Sequence, residues 1–251
     1  MESPFESLGI IAVHGFPDDA STFEALKRQE SLQGLRWISL SLTPERSRSD
    51  QVVDDCLAEI QKQDPDSCLR WIVLGHDIGG IYAWALAKHL GRELAGFVLV
   101  NSMTLPMFLH RWFKIKQIVR SSYVLLFQVP VLSENLLRFS GALLSRKFFP
   151  MPPEKRSLLN RRYGMLRHYR RSLAELLHAF RKAEPLEAPA LLLCGKDDVF
   201  VLPVTQQEAL RVSKHPVVRI VPGGHWMHED QPKAVAGFLH AWIGDEVAHA
   251  V

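Results

Sequence analysis

The stretch Trp71–Ala87, WIVLGHDIGGIYAWALA, constrains this chain more than any other. An apolar run (Trp71–Leu74) meets Gly75, then His76-Asp77-Ile78, then two glycines and an apolar pattern at helical spacing. That order reads as a strand, an abrupt turn and a helix. Glycines at 75 and 79 permit a sharp reversal and close packing of helix on strand, which pushes the residue between them out at the tip. That residue is Asp77. Asp is a common helix cap, but a cap needs no glycine on either side, whereas an exposed, tightly turned reactive group does. Beside a helix N-terminus, backbone N–H groups and the helix dipole are expected to keep the carboxylate ionised.

The rest of the chain keeps the same rhythm. Leu8–Val13, Trp37–Leu42, Leu69–Leu74, Gly96–Val100, Ala190–Cys194 and Val217–Val221 read as strands. Helices are expected over Thr22–Gln29, after Ser49 as N-cap (with Val53, Cys56, Leu57 and Ile60 on one face), over Gly79–His89, over Pro203–Val212 and over Pro232–Ile243. Alternating strands and helices predict an α/β fold with a mostly parallel sheet and helices on both faces, its reactive groups at the carboxyl ends of the strands. With 251 residues, 47% of them hydrophobic, the chain can bury a sizeable core as one domain with an insertion.

The insertion shows itself between Met103 and Pro185. Here Pro106, Pro130, Pro150, Pro152 and Pro153 interrupt a helix-rich stretch, and 16 Lys and Arg stand against 4 Asp and Glu, although the whole chain carries only +3. We assign 1–102 and 186–251 to the α/β core and 103–185 to a helical cap lying over the strand ends. Its basic excess reads first as a solvated helix surface over an apolar wall, and second as able to meet an anionic membrane surface.

Several function classes fall away. The first residues, MESPFESLG, have neither a basic nor an apolar signal region, and no run is long enough to span a bilayer. Cys56, Cys68 and Cys194 are scattered and odd in number, which suits reduced thiols in a cytoplasm. No Gly-rich phosphate loop or nucleic-acid motif is present, so neither a nucleotide cofactor nor a nucleic-acid partner is expected. His225 and His228 have H-x-x-H spacing without further ligands at zinc-site spacing, so no metal is expected either.

Two other strand ends offer partners for Asp77. One is followed by Gly195-Lys196-Asp197-Asp198, the other by Pro222-Gly223-Gly224-His225-Trp226. A carboxylate, a second carboxylate and a histidine, each just after an expected strand, follow the order of the α/β-hydrolase triad. On these motifs the chain resembles the α/β-hydrolase superfamily, and within it the epoxide hydrolases that use an aspartate nucleophile. HGFP (His14–Pro17), GHDIGG (Gly75–Gly80), GKDDVFVLP (Gly195–Pro203) and GGHWMHEDQP (Gly223–Pro232) carry the resemblance, which covers nearly the whole chain. In the cap, SYVLLFQVP (Ser122–Pro130) and LRHYRRSL (Leu166–Leu173) are similar to the two segments that hold that family's tyrosines.

The resemblance implies Asp77 as nucleophile, His225 as base, the N–H groups of Phe16 and Ile78 as oxyanion hole, and Tyr123 and Tyr169 as general acids. His14 and Trp226 are assigned to substrate binding, although Trp226 also reads as a packing residue. Family spacing from Gly195 and from Pro203 selects Asp198 as the triad acid, with Asp197 as the alternative. Some relatives hold this acid after the strand that here ends in Asn101, where an amide cannot serve. Two departures stand out: Ile78 replaces the usual aromatic after the nucleophile, implying a partly aliphatic pocket wall, and too few residues precede Leu8 for the usual opening hairpin.

The implied reaction opens a small lipophilic epoxide to a vicinal diol without a cofactor. A carboxylate attacks the sp³ carbon, the tyrosines protonate the leaving oxygen, and histidine-activated water hydrolyses the resulting ester. The competing expectations are a hydrolytic dehalogenase with the same aspartate nucleophile, and a non-catalytic hydrolase-like protein binding a membrane or a partner. The known dehalogenase patterns, Trp or Arg after the nucleophile, are absent here.

Overall fold

Six parallel strands form one sheet in the computed structural model, in the order β2-β1-β3-β4-β5-β6. They are β1 (Leu8–Val13), β2 (Arg36–Leu40), β3 (Arg70–Asp77), β4 (Leu94–Ser102), β5 (Ala190–Gly195) and β6 (Pro216–Val221). The structure describes residues 5, 7–66, 69–111, 122–139, 151–159, 161–171 and 184–248. Every residue of β1, β4 and β5 is buried, as a parallel sheet covered on both faces requires.

Side chains alternate between two apolar layers. Ile11, Val13, Val73, Phe97, Leu99 and Leu192 face the layer closed by α2 (Ser49–Gln63) and α3 (Gly79–Leu90). Ile10, Ala12, Ile72, Leu74, Val98 and Leu191 face the other, where α1 (Glu24–Lys27) contributes Leu26 and the helix Pro232–Trp242 contributes Val235, Ala236 and Leu239. The chain lays β2 on one side of β1 and builds β3 to β6 on the other. This switch of direction opens a crevice at the carboxyl ends of β1 and β3. The turn after β1 and the last residue of β3 meet there.

The turn after β3 is tighter than the apolar run alone indicates. β3 continues past Leu74 through His76 and Asp77, and α3 starts two residues later. A Cβ on Gly75 would lie 2.5 Å from the Gly80 Cα, and one on Gly79 would lie 2.2 Å from the Val13 carbonyl oxygen. Neither position tolerates a side chain unless backbone moves.

Several expected elements shift at their ends. β2 begins at Arg36 and stops at Leu40, and β4 extends to Leu94 and Ser102. Thr22–Gln29 is a 3-10 turn (Ala20–Phe23) followed by the single turn α1, because Asp19 accepts the Ser21 N–H and starts the turn early. Ser49 is the first residue of α2, and Arg48 takes the extended cap conformation instead. Of Pro203–Val212, only Gln206–Ala209 is α-helical, opened by a Thr205 cap. The last helix ends at Trp242 and runs into a wider turn, Ile243–Val247.

Between β4 and β5 the described residues are helical at Leu105–Arg111, Ser122–Phe127, 132–139, Pro153–Leu159 and 166–171, and no strand occurs among them. The buried Arg111 anchors the start of this insertion, pairing with both oxygens of Glu208 (2.9 and 2.8 Å) and donating to the carbonyls of Leu202 and Pro203. No helix among the described residues is long and apolar enough to cross a membrane.

Two glycines give a direct test of the turn. Gly79→Ala forces carbon against backbone carbonyls and is expected to cost at least about 1–3 kcal/mol. Gly237→Ala, on an open face of the last helix with nothing within 4 Å, is expected to add about 0.5–1 kcal/mol. Urea unfolding midpoints of the two variants measure both.

Candidate active site

Asp77 has a φ of +50°, a left-handed conformation that costs an L-residue of order 1–3 kcal/mol and is tolerated where surrounding structure enforces it. The turn aims its carboxylate across the crevice. Oδ2 accepts the Phe16 N–H at 3.0 Å and the Tyr169 hydroxyl at 3.0 Å, and the Ile78 N–H favours the charge of the same carboxylate. Oδ1 is left facing His225, whose Nε2 lies 4.0 Å away. Phe16 comes from the turn after β1, Ile78 from the turn after β3, and Tyr169 from the insertion. Three separate segments thus converge on one side chain.

His225 is oriented from behind. Its Nδ1 lies 2.9 Å from Asp198 Oδ2, and the other Asp198 oxygen accepts the N–H groups of Phe200 (2.7 Å) and Val201 (3.1 Å). Asp197, by contrast, is exposed. The structure therefore brings Asp198, not Asp197, to the imidazole. Asn101, at φ +45°, ties the two loops together: its amide donates to the carbonyls of Gly224 and His225 (2.8 and 2.9 Å) and accepts the Gly195 N–H (2.6 Å).

Tyr123 and Tyr169 both face Asp77 from the insertion. Their hydroxyls are hydrogen-bonded to each other, with rings 6.4 Å apart and edge-on. Phe16, Phe127, Phe200, Trp226, Leu126, Leu137 and Met151 complete an apolar pocket around them. Ile78 gives its N–H, but its side chain does not line this pocket, so the expected aliphatic wall comes from the insertion instead.

His14, expected at the substrate, is not among the residues that line the pocket. It is fully buried; Nδ1–H donates to the Gly15 carbonyl (2.8 Å) and Nε2 accepts the Leu42 N–H (2.9 Å). Both ring nitrogens are spent on holding the turn after β1. Burial pushes its pKa down, leaving it neutral. Trp226 does line the pocket with its ring, while its indole N–H is committed to Asp18.

Burial dominates the electrostatics. It lifts Asp77 above the ordinary carboxylate range, against the pull of His225 and the N–H groups of Phe16 and Ile78. The helix end was expected to prevail here, but desolvation inside the aromatic pocket outweighs it. Burial alone would push His225 down, yet Asp198, with Asp77 and Asp18, raises it above the usual histidine value. Both tyrosines are driven well above theirs, first by burial and then by the Asp77 charge, so both phenols stay protonated.

A buried polar knot behind His225 has no counterpart in the sequence expectations. Lys155 reaches from the insertion to Asp18 Oδ1 and Glu229 Oε1, both at 2.6 Å. Asp18 Oδ2 accepts the Trp226 indole N–H at 2.8 Å, and Arg162 donates to the Asp18 carbonyl at 2.6 Å. Burial would lower the Lys155 pKa, but its two carboxylate partners raise it. His76 and His228, both kept neutral chiefly by burial, pack beside the knot, and His76 Nε2 meets the His225 carbonyl at 3.1 Å. Only the position of Asp18 directly after HGFP hinted at it. Lys155 sits in a run, PPEKR, that reads as exposed charge.

Residues 10–238 match the alpha/beta hydrolase family, and the chain belongs to it. Epoxide hydrolase 3 of Xenopus tropicalis is 24% identical over 267 residues, covering 94% of this chain and 71% of that protein. Epoxide hydrolase 4 of Mus musculus is also 24% identical, covering 94% and 73%. Among solved structures, an epoxide hydrolase of Bacillus megaterium in complex with an inhibitor superimposes with a TM-score of 0.76 at 16% identity, covering 95% of this chain and 94% of that one, which is a likeness of fold.

The knot yields a stability test. Lys155→Met leaves the buried Asp18 carboxylate without its ammonium and is expected to cost about 3–5 kcal/mol. Adding Asp18→Asn removes the stranded charge and keeps an acceptor for the indole, so urea denaturation of the double variant should recover much of that loss.

Proposed function

We propose that this chain is an epoxide hydrolase that opens a small lipophilic oxirane to a vicinal diol through an ester on Asp77. The observation that carries the reading is the pair of protonated phenols on the insertion, one of them 3.0 Å from the Asp77 carboxylate inside an otherwise apolar pocket. A nucleophile below and two proton donors above are what ring opening needs. Residues 103–185 act as the cap that brings the phenols over a core made of 1–102 and 186–251.

In the first step an Asp77 oxygen, Oδ1 by its freedom, attacks an epoxide carbon. The C–O bond breaks, and a proton from Tyr123 or Tyr169 converts the departing alkoxide to a hydroxyl. In the second, His225, oriented by Asp198, takes a proton from water that attacks the ester carbonyl. The N–H groups of Phe16 and Ile78 hold the oxyanion, the diol leaves, and the proton on His225 returns to the tyrosinate. Apart from Asp77, His225 and the two phenols, the pocket wall is apolar, which supports a neutral substrate without a charged head. A halide departs without a proton, so the paired phenols would have no task in dehalogenation.

Trapping tests the scheme. With His225→Gln, an epoxide panel followed by mass spectrometry is expected to show an adduct on Asp77 and no turnover. Halide release without diol from the wild-type protein would overturn the reading. Replacing both tyrosines by Phe is expected to slow adduct formation about 10²–10⁴-fold in single-turnover experiments.

The pKa directions set the pH profile. Asp77 must be ionised to attack and its pKa is raised, so alkylation should still be gaining rate above the ordinary carboxylate range. His225 must be neutral to act as base and is also raised, so ester hydrolysis should increase with pH through a value above 6.5. Rapid-mixing kinetics that resolve the two steps check both limbs.

A further inference from the structure

Eight large apolar side chains are exposed among the described residues, and five lie within one short part of the cap: Leu126, Val129, Val131, Leu132 and Phe139. Phe139 is 75% exposed and Val131 70%. Scattered exposed apolar residues need no explanation, but such a concentration does. Leu132, Leu136 and Phe139 follow one another at the spacing of one helix face in residues 132–139. Leu136 is also a pocket residue, and Leu126 both lines the pocket and stands 37% exposed. The outer apolar lip and the lining of the pocket above Asp77 are therefore continuous.

Charge decides between the surfaces that would cover such a lip. The cap sequence holds 16 Lys and Arg against 4 Asp and Glu. One of those acids, Glu134, is taken by Arg170, and the Arg138 guanidinium lies 5.3 Å from the Phe139 ring. A second copy docked lip to lip would press two strongly basic caps together. An anionic phospholipid surface receives the apolar side chains and the Arg138 cation beside them, and attracts a cap of net positive charge.

From this we infer that the 126–139 lip docks on an anionic phospholipid bilayer and holds the pocket mouth at the interface, where a membrane-dissolved substrate enters. The docking stands on the lip and its charge alone; the delivery of substrate rests on the epoxide hydrolase reading above.

Vesicle flotation of the full chain tests it. Binding to phosphatidylcholine vesicles containing phosphatidylserine is expected to exceed binding to phosphatidylcholine alone by roughly tenfold or more, and to weaken as salt is raised. Leu132→Asp with Phe139→Asp, neither of them a pocket residue, should reduce vesicle binding at least about tenfold while leaving hydrolysis of a short, water-soluble epoxide unchanged. Phe139→Asp alone serves if the double variant does not fold. Absence of binding to phosphatidylserine vesicles, binding undiminished in the variants, or a wild-type dimer that the same substitutions disperse in sedimentation velocity would each overturn the inference. Vesicle binding is measured without turnover, so failure of the epoxide reading would leave this result standing.

Discussion

The active-site geometry depends on how closely α3 approaches the strands beneath it. Gly75 and Gly80 put backbone against backbone, and Gly79 sits against the Val13 carbonyl with no room for a methyl group. That approach forces Asp77 into a left-handed conformation, points its carboxylate at the end of β1, and places the Ile78 N–H beside it. The same closeness removes water. A carboxylate held this way is more basic than one on a surface, because the pocket solvates it with two N–H groups and a phenol rather than with bulk solvent.

How much of this was legible in the sequence varies with the kind of interaction. Strand positions were readable because buried parallel strands need continuous apolar runs, and the glycines around Asp77 announced the turn. Asp198 could be separated from Asp197 only by family spacing; the structure separates them by burial and by the N–H groups of Phe200 and Val201. Element ends were less accessible. Thr205 and Asp19 start their turns through side-chain hydrogen bonds that no periodicity records, and β3 extends through residues whose polarity looks like a loop. His14 shows the same limit: a histidine beside a reactive loop looks functional in sequence, while the structure leads its two ring nitrogens to Gly15 and Leu42. Lys155 was invisible because its partners lie 137 and 74 residues away in the chain.

That long-range knot also explains how a basic insertion sits firmly on the core. Asp18 lies two residues after Phe16, and Trp226 directly follows His225, so one buried carboxylate links the turn that supplies an N–H donor to the loop that carries the imidazole. Lys155 and Arg162 add the insertion to the same junction, and Arg111 fastens its opposite end through Glu208. The alignment of Tyr169 above Asp77 rests on these charged contacts as much as on apolar packing. The Arg111–Glu208 and Lys155–Asp18 pairs are sheltered from solvent, where ionic strength has little leverage.

The amide of Asn101 decides which strand end can carry the acid. It gives two hydrogens to main-chain oxygens and takes one in return, a pattern only a carboxamide satisfies. Exchange for aspartate would set an anion against two carbonyl dipoles and release the loop that carries His225. The acidic partner of His225 therefore has its place in the loop after β5, because the end of β4 is already occupied by an amide that both loops need.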